Sequence, residues 1–250
     1  MKRQVIEKLL FTALCLSQLV ICPWQGLAQS QKDKDSRGPD PIVDIGKAQP
    51  DQAPWEIRAK RDKRHNLPGG QPVREPRSDD VEEGIINDRH EAIPAFPIAQ
   101  SDAIVIATVT KAAAHLSEDR AMVYSEFDLN VTDILKTAGD VLLRVGESIE
   151  VERIGGAVRF PSGRMWRFRI YQQGFPHVGG TYTLFLKYNA QTQDFYLVTG
   201  YELKKSMVVP LDGVGFTSNP KARLASFKYN GADPNVFLGE LRTAINGGLR

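Results

Sequence analysis

Cysteine is nearly absent from this 250-residue sequence. Its only two cysteines, Cys15 and Cys22, lie in the segment 1–28, which has the features of a secretory signal peptide. A chain that begins after that segment contains no cysteine. This excludes disulfides, thiol nucleophiles and thiolate metal ligands from the mature protein.

The segment 1–28 predicts export. Three basic residues precede an apolar stretch at 9–22 that is too short to cross a membrane comfortably, and Gly26-Leu27-Ala28 supplies small residues for cleavage after Ala28. We therefore expect a periplasmic or extracellular protein with no transmembrane span after cleavage. Two alternatives are an uncleaved N-terminal anchor and lipidation of Cys22, although Ile21 stands where a lipoprotein signal needs a small residue.

The sequence also has little excess of positive over negative charge. The chain has 32 basic and 30 acidic side chains, and removal of the signal segment, with three basic residues and one acidic residue, leaves 29 of each. This balance gives no reason to expect a nucleic-acid partner.

Recognisable catalytic and cofactor motifs are missing as well. The sequence has no nucleophile elbow, phosphate-binding loop or dinucleotide fingerprint, and none of its four histidines has another at the spacing of a zinc-binding helix. The cluster at 87–91, Asn-Asp-Arg-His-Glu, has metal-ligating residues but lies in a polar segment, where the fixed geometry of a metal site is not expected. We therefore predict no catalytic residue, no metal site and no cofactor.

Residues 29–97 have the composition of a disordered arm. Nine of the 15 prolines fall there among charged residues, and few apolar residues are available to offset the entropy of ordering. A basic block at 55–65 has two interpretations, a solvated charge block or a dock for anionic lipid or glycan. The acidic segment 79–83 could pair with it.

The segment 98–216 has the alternation of a β domain. Residues 103–110 form an apolar, β-branched run, 123–131 and 148–154 alternate with period two, and Pro161-Ser162-Gly163 predicts a hairpin between 158–160 and 165–171. We expect a loop or helical turn over 111–120, and short strands at 207–210 and 214–216. The strand spacing and length predict a small, closed or partly closed β-barrel.

A hairpin at 179–201 forms the centre of that prediction. Alternating residues at 181–188, polar residues at 189–194 and an aromatic return at 195–201 indicate two paired strands. The segment 217–250 then predicts a linker and a terminal helix. Asp233 is the expected N-cap and Pro234 the first helical residue, and the stripe formed by Phe237, Leu241, Ala244 and Ile245 should dock on the β domain.

The order of these signals resembles that of uncharacterised secreted bacterial proteins with an OB-like β-barrel. The resemblance rests on SDAIVIATVT, YSEFDLNVTDILK, the Gly-Gly loop, GTYTLFL and FYLVTGY, and covers 98–216. Those proteins are distantly similar to netrin-like domains and to the inhibitory domain of tissue inhibitors of metalloproteinases. The resemblance implies the fold alone, because that inhibition uses an N-terminal cysteine and disulfides, which the mature chain lacks.

One group of residues suggests a ligand face. Basic and aromatic residues interleave along 159–171, and OB-like barrels bind extended ligands across such surfaces. We call this set the ribbon: Arg159, Arg164, Trp166, Arg167, Arg169 and Tyr171. The competing interpretation is structural, with Arg167 and Arg169 in cross-strand ion pairs with Glu150 and Glu152.

These observations favour an exported, non-enzymatic binding or interaction module whose partner is an envelope protein or an anionic glycan. Two other functions remain open. An envelope hydrolase would assemble its site from dispersed residues, with His115, Glu118, Asp119 and His177 as the ones to inspect. A protease inhibitor, by analogy of fold, would need an exposed rigid loop at Gly155-Gly156 or at 172–178.

Overall fold

A computed structural model describes residues 39–47, 54–77, 82–86, 93–139, 141–213 and 224–247. The signal segment, the cluster at 87–91 and the expected strand at 214–216 lie outside these residues. The described chain is mainly β, with two α-helices, and its residues form one compact unit.

The larger sheet has six strands. They are β3 (Ala103–Leu116), β4 (Val123–Thr137), β5 (Ser148–Ile154), β8 (Thr181–Asn189), β9 (Asp194–Leu203) and β10 (Val208–Pro210). Their order is β10-β9-β5-β4-β3-β8, and β8 also pairs with β9. The pairing β5–β9 is parallel and joins two residue pairs only, so the sheet is partly closed into a ring.

A smaller, four-stranded sheet lies beside it in the order β1-β6-β7-β2. Its strands are β1 (Ile42–Asp44), β2 (Glu82–Ile86), β6 (Gly156–Arg159) and β7 (Met165–Ile170). The chain passes from β5 into β6 through Gly155 and Gly156, which have φ of +105° and +142°. A Cβ on Gly156 would lie 2.9 Å from Ser125 Oγ, so both the turn and the close approach require glycine.

Three apolar clusters fill the interior. The largest lies between the strands of the ring and includes Phe127, Leu129 and Leu184, all fully buried. A second joins the outer side of the hairpin to the C-terminal helix, and a third lies against β6 and β7. Burial of apolar area on both sides of the sheet is what holds these layers together.

The predicted hairpin is confirmed. β8 and β9 pair antiparallel from Tyr182↔Glu202 to Asn189↔Asp194. One face of β8 contributes Tyr182, Leu184 and Leu186 to the central cluster, and the other contributes Phe185 to the cluster under the C-terminal helix. The hairpin of β6 and β7 is confirmed as well.

Part of one predicted loop is a strand instead. β3 continues to Leu116 and β4 to Thr137, so the expected loop or helical turn at 111–120 is wrong over 111–116. Residues 111–116 pair with 123–128 of β4. Pairing of the two strands overrides the helical preference of Ala112-Ala113-Ala114.

The terminal helix, α2 (Pro234–Gly247), forms as predicted. Asp233 caps it, since its Oδ1 accepts hydrogen bonds from the backbone N–H of Asn235 and Val236 at 2.8 and 3.1 Å. Phe237, Leu241 and Ile245 are buried against the sheet.

The structure differs from the expectation of a disordered arm at 29–97. Its described residues include β1, β2 and a helix, α1 (Trp55–Arg64), which contacts the larger sheet through side-chain ion pairs. The expected interpretation of 55–65 as a solvated block is wrong, because three of its arginines bind buried carboxylates. The acidic segment 79–83 lies outside the described side chains.

Candidate functional site

The arginines of the ribbon contact the segments that precede the larger sheet. Arg159 binds Asp44 with Nε 2.5 Å from Oδ1, whereas Arg167 and Arg169 both bind Asp40, at 3.2 and 2.8 Å. The predicted pairs of Arg167 and Arg169 with Glu150 and Glu152 are wrong. Side chains alternate between the two faces of a strand, so Arg167 and Arg169 lie on one face of β7. Asp40, in the chain just before β1, lies against that face.

The ribbon is divided between two faces. Trp166 lies on the opposite face of β7, beside the buried Phe168, and lines a cavity of about 550 Å³. Arg164 approaches the same cavity, because its Nη1 donates to the Pro76 carbonyl at 3.3 Å and lies 3.7 Å from Glu75. Tyr171 is exposed just beyond β7. The structure therefore places Trp166 and Arg164 near this cavity, and Arg167 and Arg169 together on Asp40.

The second wall of this cavity comes from the segment 67–77. Apolar atoms are supplied by Leu67, Pro72 and Val73, and polar ones by neighbours along the same segment, namely Gln71, Arg74, Glu75 and Arg77. Arg74 and Arg77 are exposed and have no ion pair within the described part of the chain. We call this site the Trp166 pocket. It combines an aromatic, apolar floor with unpaired guanidinium groups.

A second polar site lies beneath α1. Four carboxylates project from the outer side of the larger sheet, since their strand neighbours Phe127, Ile149, Val151 and Phe195 point into the central cluster. We call them the acidic cluster: Glu126, Glu150, Glu152 and Asp194. Glu152 and Asp194 have no exposed side-chain surface.

Three arginines of α1 neutralise the acidic cluster. Arg58 makes two hydrogen bonds to Glu126, at 2.5 and 2.8 Å, and Arg64 bonds to Glu152. Arg61 lies between them, bonded to Glu150, 3.2 Å from Glu126 and 2.8 Å from Asp194. These arginines are three residues apart, which puts them on one face of the helix.

Aromatic rings close the ends of this network. Tyr124 lies between His65 and His115, with ring centroids 4.3 and 5.4 Å away. Its hydroxyl donates to Asp62 at 2.6 Å and accepts from Arg58 at 2.8 Å. The two histidines also reach the cluster, because His65 Nε2 is 3.1 Å from Glu152 and His115 Nε2 is 3.1 Å from Glu126.

Burial shifts the protonation of these acids. It raises the pKa of Glu150 to about 7, helped by the hydrogen bond to Glu126 and opposed by Arg61. It also acts to raise the pKa of Glu126, but hydrogen bonds from His115 and Arg58 outweigh it and hold that pKa well below its usual range. Burial raises the pKa of Glu152 and of Asp62. Glu126 and Glu150 therefore titrate as a pair, with the higher pKa on Glu150.

The residues considered for a hydrolase do not converge. His115 contacts Glu126, Asp119 bonds to its own turn through Ser117 and Ala121, and Glu118 accepts from Asn66. His177 lies at the start of the hairpin, where it bonds to the Tyr182 hydroxyl at 2.7 Å. Within the described ranges, no three His, Cys, Asp or Glu side chains are placed so that they could hold a metal ion.

The two loops considered for protease inhibition are largely buried. Gly155 and Gly156 are enclosed at the β5–β6 junction, and from Gln172 to Pro176 the chain is buried apart from the half-buried Gln173. Only Val178, exposed by 55%, projects from the second segment. Neither segment is the exposed rigid loop that such inhibition needs.

The acidic cluster escaped sequence reasoning, although two signals of it were present. Glu150 and Glu152 alternate along a strand whose other face is apolar, and Arg58, Arg61 and Arg64 recur every three residues. Each pattern alone is typical of a solvated surface. Only their contact in the fold identifies them as partners.

Comparison with known proteins adds no relative: no family model, no curated protein and no solved structure matches this chain significantly. Within the described ranges, neither helix has the length and apolar character that crossing a membrane would require.

Proposed function

We propose that this protein is an exported, non-enzymatic binding module of the bacterial envelope or extracellular space, built on an OB-like barrel closed by a C-terminal helix. The partly closed ring of β3, β4, β5, β8 and β9 supports the fold. The basic residues and apolar stretch of 1–28, with cleavage after Ala28, support export. A mature N-terminus at Gln29, measured by intact mass, would test export directly.

The Trp166 pocket is the observation that carries the binding function. It is concave, has an apolar floor with one large aromatic ring and has polar groups at its margin, which is the usual composition of a ligand site. Of the six ribbon residues, Trp166 lines it, and Arg164 lies 3.7 Å from Glu75 of its wall. The remaining four, Arg159, Arg167, Arg169 and Tyr171, lie outside it, and three of these are arginines bound to Asp44 or Asp40.

The margin of the pocket favours an anionic ligand. Arg74 and Arg77 lack ion pairs within the described residues, whereas Glu75 lies near Arg164. Guanidinium groups bind carboxylates and sulfates in a planar, two-bond geometry, and an indole ring offers a flat face for stacking. An anionic glycan satisfies both requirements. An envelope protein with an acidic segment is the alternative partner.

Affinity capture with the Trp166→Ala variant tests this assignment. The immobilised mature chain should retain an anionic polysaccharide from a native envelope extract, and Trp166→Ala should weaken its binding about 30-fold, because loss of a central tryptophan costs about 2 kcal/mol or more. Trp55→Ala is the matched control, since Trp55 is 74% exposed and lies outside the pocket. Equal retention by Trp166→Ala and the native chain would refute the site.

A further inference from the structure

The docked face of α1 is ionic. Arg61 is the only buried residue of the helix, and the ion pairs that join the helix to the sheet are made by Arg58, Arg61 and Arg64. A helix held by apolar burial is insensitive to the protonation of its neighbours. A helix held by buried ion pairs depends on the charge of every group in the network.

The network contains more acids than guanidiniums. Asp62 of α1 joins the four members of the acidic cluster, so five carboxyl groups face three arginines. The other titratable groups that face them are His65 next to α1, His115 of β3, Tyr124 and Asp128 of β4, and Tyr196 of β9, over which Arg64 lies at 4.7 Å. Full ionisation of the five acids would give two more negative charges than the three guanidiniums balance.

Glu126 and Glu150 are where this excess is concentrated. Both accept from the same nitrogen, Nη1 of Arg61, so the two carboxyl groups lie against one guanidinium. Two adjacent carboxyl groups repel each other when both are ionised, which favours a state in which the pair holds one proton. When that proton leaves, two adjacent anions share Nη1 of Arg61, and of the two, Glu126 also binds Arg58.

We propose that α1 is a pH-responsive element, docked on the acidic cluster while Glu126 and Glu150 share a proton and released more readily once both are ionised. The ordinary pKa of an exposed glutamate, 4.5, applies to Glu150 when the helix is away, and burial raises it to about 7 when the helix is docked. Between pH 4.5 and pH 7 the docked state therefore binds more protons than the released state, so docking weakens as the pH rises through 7.

Release of α1 would alter the Trp166 pocket, a consequence that rests on the proposed function. The pocket wall begins at Leu67, three residues after the helix, and Asp119 holds it there by accepting from the Leu67 N–H at 2.8 Å. Between them, His65 is fixed by Tyr124 and Glu152. Ligand affinity is therefore expected to fall at alkaline pH together with docking.

Amide hydrogen exchange of residues 55–64 in the mature chain tests the docking directly and needs no ligand. After correction for the intrinsic exchange rate, protection of this segment should fall about tenfold between pH 6 and pH 8. This is the change expected if the pKa of Glu150 is about 7 in the docked state and 4.5 in the released state. Protection of α2 in the same sample should stay constant, which separates local release from global unfolding.

Glu150→Gln removes the titrating group and should make the protection of 55–64 independent of pH over this range. Glu147→Gln is the matched control, because Glu147 lies in the adjacent loop and bonds to the Arg144 N–H rather than to α1. Flat protection in the native chain, or an unchanged fall in Glu150→Gln, would overturn the proposal. Neither outcome bears on ligand binding, so the proposed function is judged separately.

Discussion

Arg61 should be the residue on which docking of α1 depends most. Its side chain is 4% exposed and contacts Glu126, Glu150 and Asp194. Arg61→Ala removes the guanidinium that, among the described residues, is common to these three carboxylates. Breaking a buried ion pair by removal of one partner costs about 3–5 kcal/mol, because the remaining charge stays buried without compensation.

The loss is limited by the helix itself. If α1 leaves the sheet, the carboxylates of the acidic cluster regain water, so Arg61→Ala cannot destabilise the chain by more than the free energy of docking. We therefore expect either a fall of about 3–5 kcal/mol in the free energy of unfolding, or a smaller fall accompanied by loss of amide protection over 55–64. Urea denaturation followed by circular dichroism, with hydrogen exchange on the same variant, distinguishes the two results.

Lys60→Ala provides the control for this prediction. Lys60 is adjacent to Arg61 and also basic, but it lies on the exposed side of α1. It should change the free energy of unfolding by no more than about 0.5 kcal/mol. If Arg61→Ala behaves like Lys60→Ala in both assays, the ion pairs do not hold the helix and the reasoning is refuted.

Two further predictions concern α2. Phe237→Ala should lower the free energy of unfolding by about 3–5 kcal/mol, because the ring is fully buried against Tyr201 and Tyr229, with ring centroids 4.8 and 5.2 Å away. Urea denaturation measures this loss, and a value below about 1 kcal/mol would contradict the packing. Asp233→Ala should lower the free energy of unfolding by about 1 kcal/mol, because the helix loses its N-cap. Val236 is 59% exposed in the first turn of the helix, so Val236→Ala should leave the free energy of unfolding nearly unchanged. Equal losses in the two variants would show that the cap does not contribute.

Sequence patterns predicted the elements that are specified by residues close to them in the chain. The hairpins β8–β9 and β6–β7 and the capped helix α2 are of this kind, since turn residues and alternation specify them within about twenty residues. The strand character of 111–116 was missed because three alanines favour a helix in isolation, and pairing with β4 outweighs that preference.

The candidate sites could not be predicted, because their partners are far apart in sequence. Arg61 and Glu150 are 89 residues apart, and Arg169 and Asp40 are 129 apart. A run of charged residues in the sequence does not indicate which oppositely charged residues it will pair with in the fold. The low apolar content of 29–97 predicts disorder, because a sequence does not reveal that buried ion pairs can replace apolar contacts. The Trp166 pocket has the same origin, since one wall comes from β7 and the other from 67–77.

The fluorescence of Trp166 during ligand titration tests the central claim, an anionic-ligand site, most directly. In a mature Trp55→Phe chain it is the only tryptophan, because Trp24 is removed with the signal segment. The account predicts a saturable change with oligogalacturonides and none with neutral oligosaccharides of equal length, and a tenfold or greater loss of affinity in Arg74→Ala/Arg77→Ala, about 1.4 kcal/mol or more. An equal response to acidic and neutral sugars, no saturable response to either, or full affinity in the double variant would contradict it.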